Sequence, residues 1–125
     1  MTDFRTPAKK VRALGSAKDG TEHFWRQRLT ALANIPLLLF FIGFVVSLNG
    51  AGHDEVLAAI AHPFAAVMLI AVLASGLIHM KLGMQVVIED YIHGEGAKVI
   101  MLFLNAAFAY GVGLITVFAI LKISF

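Results

Sequence analysis

Three stretches of this chain, residues 29–52, 56–80 and 99–121, contain no Asp, Glu, Lys or Arg. About 20 predominantly apolar residues in helical conformation are enough to cross the ~30 Å hydrocarbon core of a bilayer. Each stretch exceeds that length and is too long for an ordinary strand, and three spans cannot close a barrel. The pattern confines the chain to an all-α membrane protein with three transmembrane helices, over about 29–50, 60–88 and 97–121. Composition agrees. Of 125 residues, 59% are hydrophobic and 14% charged, where a soluble domain carries about 25% charged residues. So short a chain has too little interior to hide that much apolar surface. A soluble enzyme is excluded. Cysteine is absent, which removes disulfides, thiolate metal sites and cysteine nucleophiles.

Basic residues lie mostly at one end. Arg5, Lys9, Lys10, Arg12, Lys18, Arg26 and Arg28 all precede the first span, whereas the connection 51–55 holds Asp54 and Glu55 and no base. The positive-inside rule then places the N-terminus in the cytoplasm and Phe125 on the periplasmic side. The formal charge of +2 sets orientation and carries no argument for nucleic acid. Residues 1–28 read as a cytoplasmic basic arm with an interfacial segment, and 29–125 as the membrane domain. The arm suits anionic lipid or the acidic face of a cytoplasmic partner. The first span follows 28 polar-rich residues and is too long for a signal-peptide core, so it is expected to remain as an anchor. No internal repeat of the transporter kind is visible.

Ionisable residues within a membrane are costly, and each is a candidate functional site. From Ser75 to Gly96 the sequence reads SGLIHMKLGMQVVIEDYIHGEG. At 100° per residue, Gly76 and Gly83 fall within about 60° and 40° of His79, one turn before it and one turn after it. Asp90 returns to within about 20° of the same stripe. An imidazole between two positions without side chains suits a haem, whose iron takes a neutral imidazole nitrogen and whose flat macrocycle needs small neighbours. A helix-packing face with a hydrogen-bonded histidine accounts for the same spacing. His62 is 17 residues away, roughly 25 Å along a helix, and the first and third spans contain no histidine. A second axial ligand would therefore come from another chain. Pro63 suits the first turn of the second span; a start at Asp54 would give a longer, tilted or kinked helix. Asn105, Ala107, Gly111 and Gly113 on the third span read as packing surface, with Ala107 and Gly111 as a small-xxx-small pair.

The run from His79 through Gly83-Met84 to Asp90-Tyr91 resembles the H-x3-G-M-x5-D-Y pattern of the small hydrophobic membrane-anchor subunit of succinate dehydrogenase (complex II). The run from His23 to Ala31 is similar to the segment leading into that family's first helix, particularly in alphaproteobacterial members. The resemblance covers most of the chain from Gly20 onward. It implies a bundle formed with a second, larger cytochrome b anchor subunit, and a b-type haem shared between the two. His79 would be the axial ligand of the haem iron, flanked by Gly76 and Gly83. Arg28 would lie near the haem propionates, and Tyr91 with Asp90 would form part of the quinone site. FAD and iron–sulfur clusters would belong to a flavoprotein subunit and an iron–sulfur subunit.

The expected function is thus a membrane anchor of succinate:quinone oxidoreductase in a bacterial inner membrane, without independent catalysis and with ubiquinone as the expected quinone. Two other readings remain at this point: a haem-free structural or regulatory membrane protein, and the anchor of a fumarate reductase. His23 and His62 receive no role.

Overall fold

The computed structural model describes residue 6 and residues 19–125, with side chains from Thr21 onward. Most of the basic arm expected over 1–28 therefore lies outside the described residues. Four helices and no strands are present among those described. They are α1 (Asp19–Ser47), α2 (His53–Ala61), α3 (Pro63–Tyr91) and α4 (Glu95–Ser124). Three of them, α1, α3 and α4, are long and apolar enough to cross a membrane. The second is a short helix in the first connection.

Local chemistry explains the boundaries. Helix α1 begins well before its charge-free run, and an ion pair one turn apart between Glu22 and Arg26 supports this polar extension. After Ser47 the chain turns through Gly50 at φ +83°, a conformation that any residue with a Cβ adopts only under strain. The Gly52 N–H then donates to the Glu55 carboxylate at 2.9 Å and fixes the start of α2. At His62 the backbone is extended, as expected of a residue preceding proline. Pro63 opens α3, and the His62 carbonyl accepts from the Ala66 N–H at 2.9 Å. The break at His62 divides what could have been one long kinked helix into α2 and α3. The α3–α4 connection is short and is pinned by Lys98, whose ammonium donates to the Glu89 carbonyl at 2.9 Å.

Helix α3 is central. Helices α1 and α4 both pack along it and make no close backbone approach to one another, while α2 touches α3 and α4. The result is a layer of three helices with two open faces. At the α2 end, Ala66, Leu69 and Ile120 are buried, with Phe40, Phe44, Ile60, Ile70 and Leu73 packed around them. Phe40 stacks on Phe44 and meets Phe64 edge-on. On α4 the contact with α3 is made by Ala109, which is buried, and by Gly113, where an added Cβ would lie 3.3 Å from Leu77. The small-residue pair that packs within this chain is therefore Ala109 and Gly113. Gly111 has open space beside it and Ala107 is exposed, because the face of α4 turned to α3 is set two residues on from the expected pair.

Most large apolar side chains remain exposed, Leu39, Val67, Leu114 and Phe118 among them. In water such a surface would collapse or aggregate. In a bilayer it meets lipid or the helices of a neighbour, so the molecule is a multi-pass membrane protein.

Candidate functional site

The site is built at the end of the layer opposite α2, where α1 and α3 cross. Thr30 on α1 and His79 on α3 face each other, with Thr30 Oγ1 3.1 Å from His79 Nδ1. The direction of this hydrogen bond is assigned from the shortest of the hydroxyl's contacts. The hydroxyl donates its single proton to its own helix, to the Arg26 carbonyl at 2.8 Å with the Gln27 carbonyl at 3.1 Å. Its oxygen is left as an acceptor, so Nδ1 carries the imidazole proton and donates it. The neutral tautomer then has its lone pair on Nε2. That nitrogen has no partner among the described residues and is not one of the enclosed polar atoms. One side of the ring is held and the other is free.

Neighbouring residues complete the crossing. Ser75, one turn before His79, donates to the Thr30 carbonyl at 3.5 Å. Gly83, one turn after, admits the Gln27 side chain, whose Nε2 would be 3.2 Å from any Cβ built there. Gly83 thus allows α1 to approach. At Gly76 an added Cβ would meet nothing within 4 Å, so beside His79 this position is bare surface. The two glycines have different uses within the chain.

His23 and Gln27, one turn apart on the same stripe of α1 as Thr30, each bury a polar atom without a hydrogen-bond partner: Nε2 and Oε1 respectively. An orphaned buried polar group costs roughly 1–3 kcal/mol. Two of them on the stripe of α1 that carries Thr30 mark a place where the isolated chain is polar and unsatisfied.

Asp90 and Tyr91 close α3 at the same end. Both are exposed, Tyr91 at 74%, and neither makes a hydrogen bond among the described residues. By helical angle Tyr91 lies about 120° from His79, on the flank that also carries Gly76, Met80 and Gly83. Asp90 lies nearer the His79 stripe. Arg28 stands elsewhere. Its guanidinium sits 4.1 Å from the centroid of the Phe24 ring, about 160° around α1 from Thr30. The structure does not bring it together with His79.

Among the described residues no group of three or more His, Cys, Asp or Glu is assembled that could enclose a metal ion. A single imidazole on an open flank is a different donor set. It offers one strong nitrogen ligand and leaves the opposite coordination position to another molecule. Its Nδ1–H already has the outer partner that a metal-bound histidine ordinarily has. The residues present fit a haem, which His79 would help to hold.

Thr30, Gln27 and Ser75 were not singled out from sequence. Ser75 carried a usable signal, since it stands four residues before His79 and shares its face. Thr30 carried none, because a threonine one residue into an apolar run resembles any helix residue bonding back to its own turn.

These features, an open three-helix layer with one half-used imidazole, describe the membrane-embedded subunit of a larger assembly. The chain belongs to the succinate dehydrogenase/fumarate reductase transmembrane subunit family, whose sequence model matches residues 2–118. Its relatives include the succinate dehydrogenase hydrophobic membrane anchor subunit of Paracoccus denitrificans, 30% identical over 119 residues, which is 95% of this chain and 92% of that protein. The subunits of the same name from Rickettsia bellii and Rickettsia conorii are 34% and 36% identical over 90 and 94 residues, in each case 72% of both chains.

Proposed function

We propose that this chain is the anchor subunit of a bacterial succinate:quinone oxidoreductase, in which His79 would help hold a b-type haem shared with a second anchor subunit and the chain would supply one wall of a quinone site. The observation that carries the reading is His79, whose Nδ1 lies 3.1 Å from Thr30 Oγ1 while Nε2 has no partner among the described residues, with bare surface at Gly76 one turn before it. When bound, the haem supplies a one-electron redox centre whose potential depends on its axial ligands and their hydrogen bonds. His79 would hold its iron through Nε2. Thr30 fixes the tautomer and ring plane and, by accepting from Nδ1–H, raises the basicity of the ligating nitrogen.

Tyr91 stands twelve residues beyond His79, about 18 Å along α3. Its O–H donates to a quinone carbonyl oxygen, a bond that strengthens as that oxygen gains negative charge. Asp90 holds or passes a proton at the same end of the helix. Arg28 would serve a haem propionate only after leaving the Phe24 ring, a swing its long side chain permits. The buried atoms of His23 and Gln27 are satisfied by water or by a partner group in the assembled complex. Succinate oxidation and the supply of electrons belong to the flavoprotein and iron–sulfur partners, which dock on the side carrying Tyr91 and the N-terminal arm. That side is cytoplasmic, Phe125 is periplasmic, the membrane is the bacterial inner membrane and the quinone is ubiquinone.

Purification of the tagged chain from its own membranes in mild detergent tests this reading. The expected result is co-elution of a flavoprotein, an iron–sulfur protein and a second hydrophobic subunit, together with a low-spin b-type absorption spectrum. Recovery of that set without haem absorbance would contradict the haem assignment. Recovery of the chain alone would contradict the assembly.

A further inference from the structure

The face of the layer opposite the Gly76 flank carries a groove of about 610 Å³ between α1, α3 and α4. Leu29, Leu73, Leu77, Ile78, Leu114 and Val117 supply its apolar walls, and Arg26, Thr30, Lys81 and Tyr110 are its polar residues. On α3, Ala74, Ile78, Lys81 and Leu82 fall about 60–160° from His79 on one side, whereas Gly76, Met80, Gly83 and Tyr91 fall about 40–120° on the other. Leu73 and Leu77, at about 120° and 160° on that second side, line the groove as well, and its exposed edge at Ile78 is the part turned away, about 140–160° from Tyr91 and Gly76.

Lys81 is the feature that needs an explanation. Its ammonium donates to the Tyr110 hydroxyl at 3.0 Å and lies 4.7 Å from that ring's centroid. The Asn105 amide occupies the Lys81 carbonyl at 2.9 Å and fixes the backbone at this point. No carboxylate pairs with the ammonium among the described residues, so its hydrogen-bonded side-chain partner is a neutral phenol. A lysine that reaches from an apolar span toward the interface finds a natural partner in an anion there. Arg26 adds a second cation beside the groove, and its pair with Glu22 is an exposed one, with side chains 65% and 59% accessible, weakly held and open to exchange. Lys81 ends the charge-free run of α3, and Arg26 and Arg28 flank the start of that of α1. Lys81, and Arg26 with Arg28, thus stand where each apolar run first meets basic charge.

We infer that this groove is a binding site for an anionic phospholipid, its acyl chain lying along the Leu and Ile walls and its phosphate held by Lys81, Arg26 and the Tyr110 hydroxyl. Charge complementarity selects the headgroup. The ammonium retains two donors beyond the Tyr110 bond, and guanidinium and ammonium together match a phosphate monoanion. Glu22 opposes it and is displaced toward water when Arg26 turns to the phosphate. The inference rests on the proposed function only for which face the partner subunit covers.

The test uses the intact complex in detergent, titrated with dioleoyl-phosphatidylglycerol or dioleoyl-phosphatidylcholine, with bound lipid counted by native mass spectrometry. Phosphatidylglycerol is expected to bind more tightly than phosphatidylcholine. Lys81→Met should weaken it about tenfold, the effect of losing one charge-assisted hydrogen bond, and should weaken phosphatidylcholine less, because the choline cation already offsets the charge on its phosphate. Lys81→Arg should keep the preference, and Leu114→Trp, which fills the groove, should weaken both lipids. Equal binding of the two lipids by the wild-type complex, or an unchanged phosphatidylglycerol affinity in Lys81→Met, would overturn the site. So would carbodiimide coupling of Lys81 to a partner subunit's carboxylate, which would show the groove to be covered by protein. The haem absorbance of the same samples reports on the functional reading separately, since its absence would defeat that reading while headgroup selection is scored on its own.

Discussion

The two ends of the helical layer are built on opposite principles. At the α2 end, Leu69, Ala66 and Ile120 close a dry contact ringed by Phe40, Phe44 and Ile70, an apolar contact completed within the chain. At the other end, Thr30 holds one nitrogen of His79 while the second is free, His23 and Gln27 bury unpaired atoms, and Lys81 faces only a phenol. The contrast separates the part that holds the chain together from the part that awaits something else. Polar groups left incomplete inside a membrane protein are expensive, so they persist where a cofactor, partner or lipid completes them.

Substitutions at each end should have separable effects. The largest is expected at the end of α3. Tyr91→Phe should lower quinone reduction by roughly a hundredfold or more, the consequence of losing one hydrogen-bond donor to an oxygen gaining charge. Succinate oxidation with an artificial acceptor should be unchanged; equal losses in both assays would make Tyr91 an interfacial anchor. Next comes Thr30→Val, which keeps shape and removes the acceptor for Nδ1–H. Loss of such an outer partner typically weakens a metal site by about 10–100-fold, so haem should dissociate faster and its midpoint potential should move. Thr30→Ser should restore both.

At the α2 end, Leu69→Ala should cost about 1–2 kcal/mol. The cavity forfeits dispersion contacts, but lipid is as apolar as the core it replaces, so the transfer contribution to such losses in water is missing. The complex should melt at a lower temperature with an unaltered haem spectrum. A spectral change in Leu69→Ala would break the separation between the ends. The smallest effect is expected at Arg28. Because its guanidinium lies over Phe24, Arg28→Gln should change the haem spectrum less than Thr30→Val does. A larger change would return Arg28 to the propionates.

The three spans were legible because a charge-free run of more than 20 residues has few other uses. Helix ends were less so, for physical reasons. Absence of charge reports the hydrocarbon layer and not the helix, and α1 continues to Asp19 as a polar helix supported by Glu22 and Arg26. Pro63 announced the start of α3, but the separate α2 needed the Gly52–Glu55 contact, which only coordinates reveal. In the site, His79 stood out as a titratable group in an apolar run, and Gly76 and Gly83 by their spacing from it. Their unlike roles did not, because a missing side chain reads the same whether it admits Gln27 or leaves open space. Thr30 was invisible for the opposite reason: its importance lies in what it meets across α1 and α3, a tertiary fact with no local signature.

The central claim is that His79 gives this complex one haem ligand through Nε2. It is tested most directly by the reduced-minus-oxidised absorption spectrum of the purified complex carrying His79→Leu, with subunit composition confirmed on the same sample. The account predicts an assembled complex in which the low-spin b-type bands are lost or converted to a high-spin form. An assembled His79→Leu complex with the wild-type spectrum would contradict it.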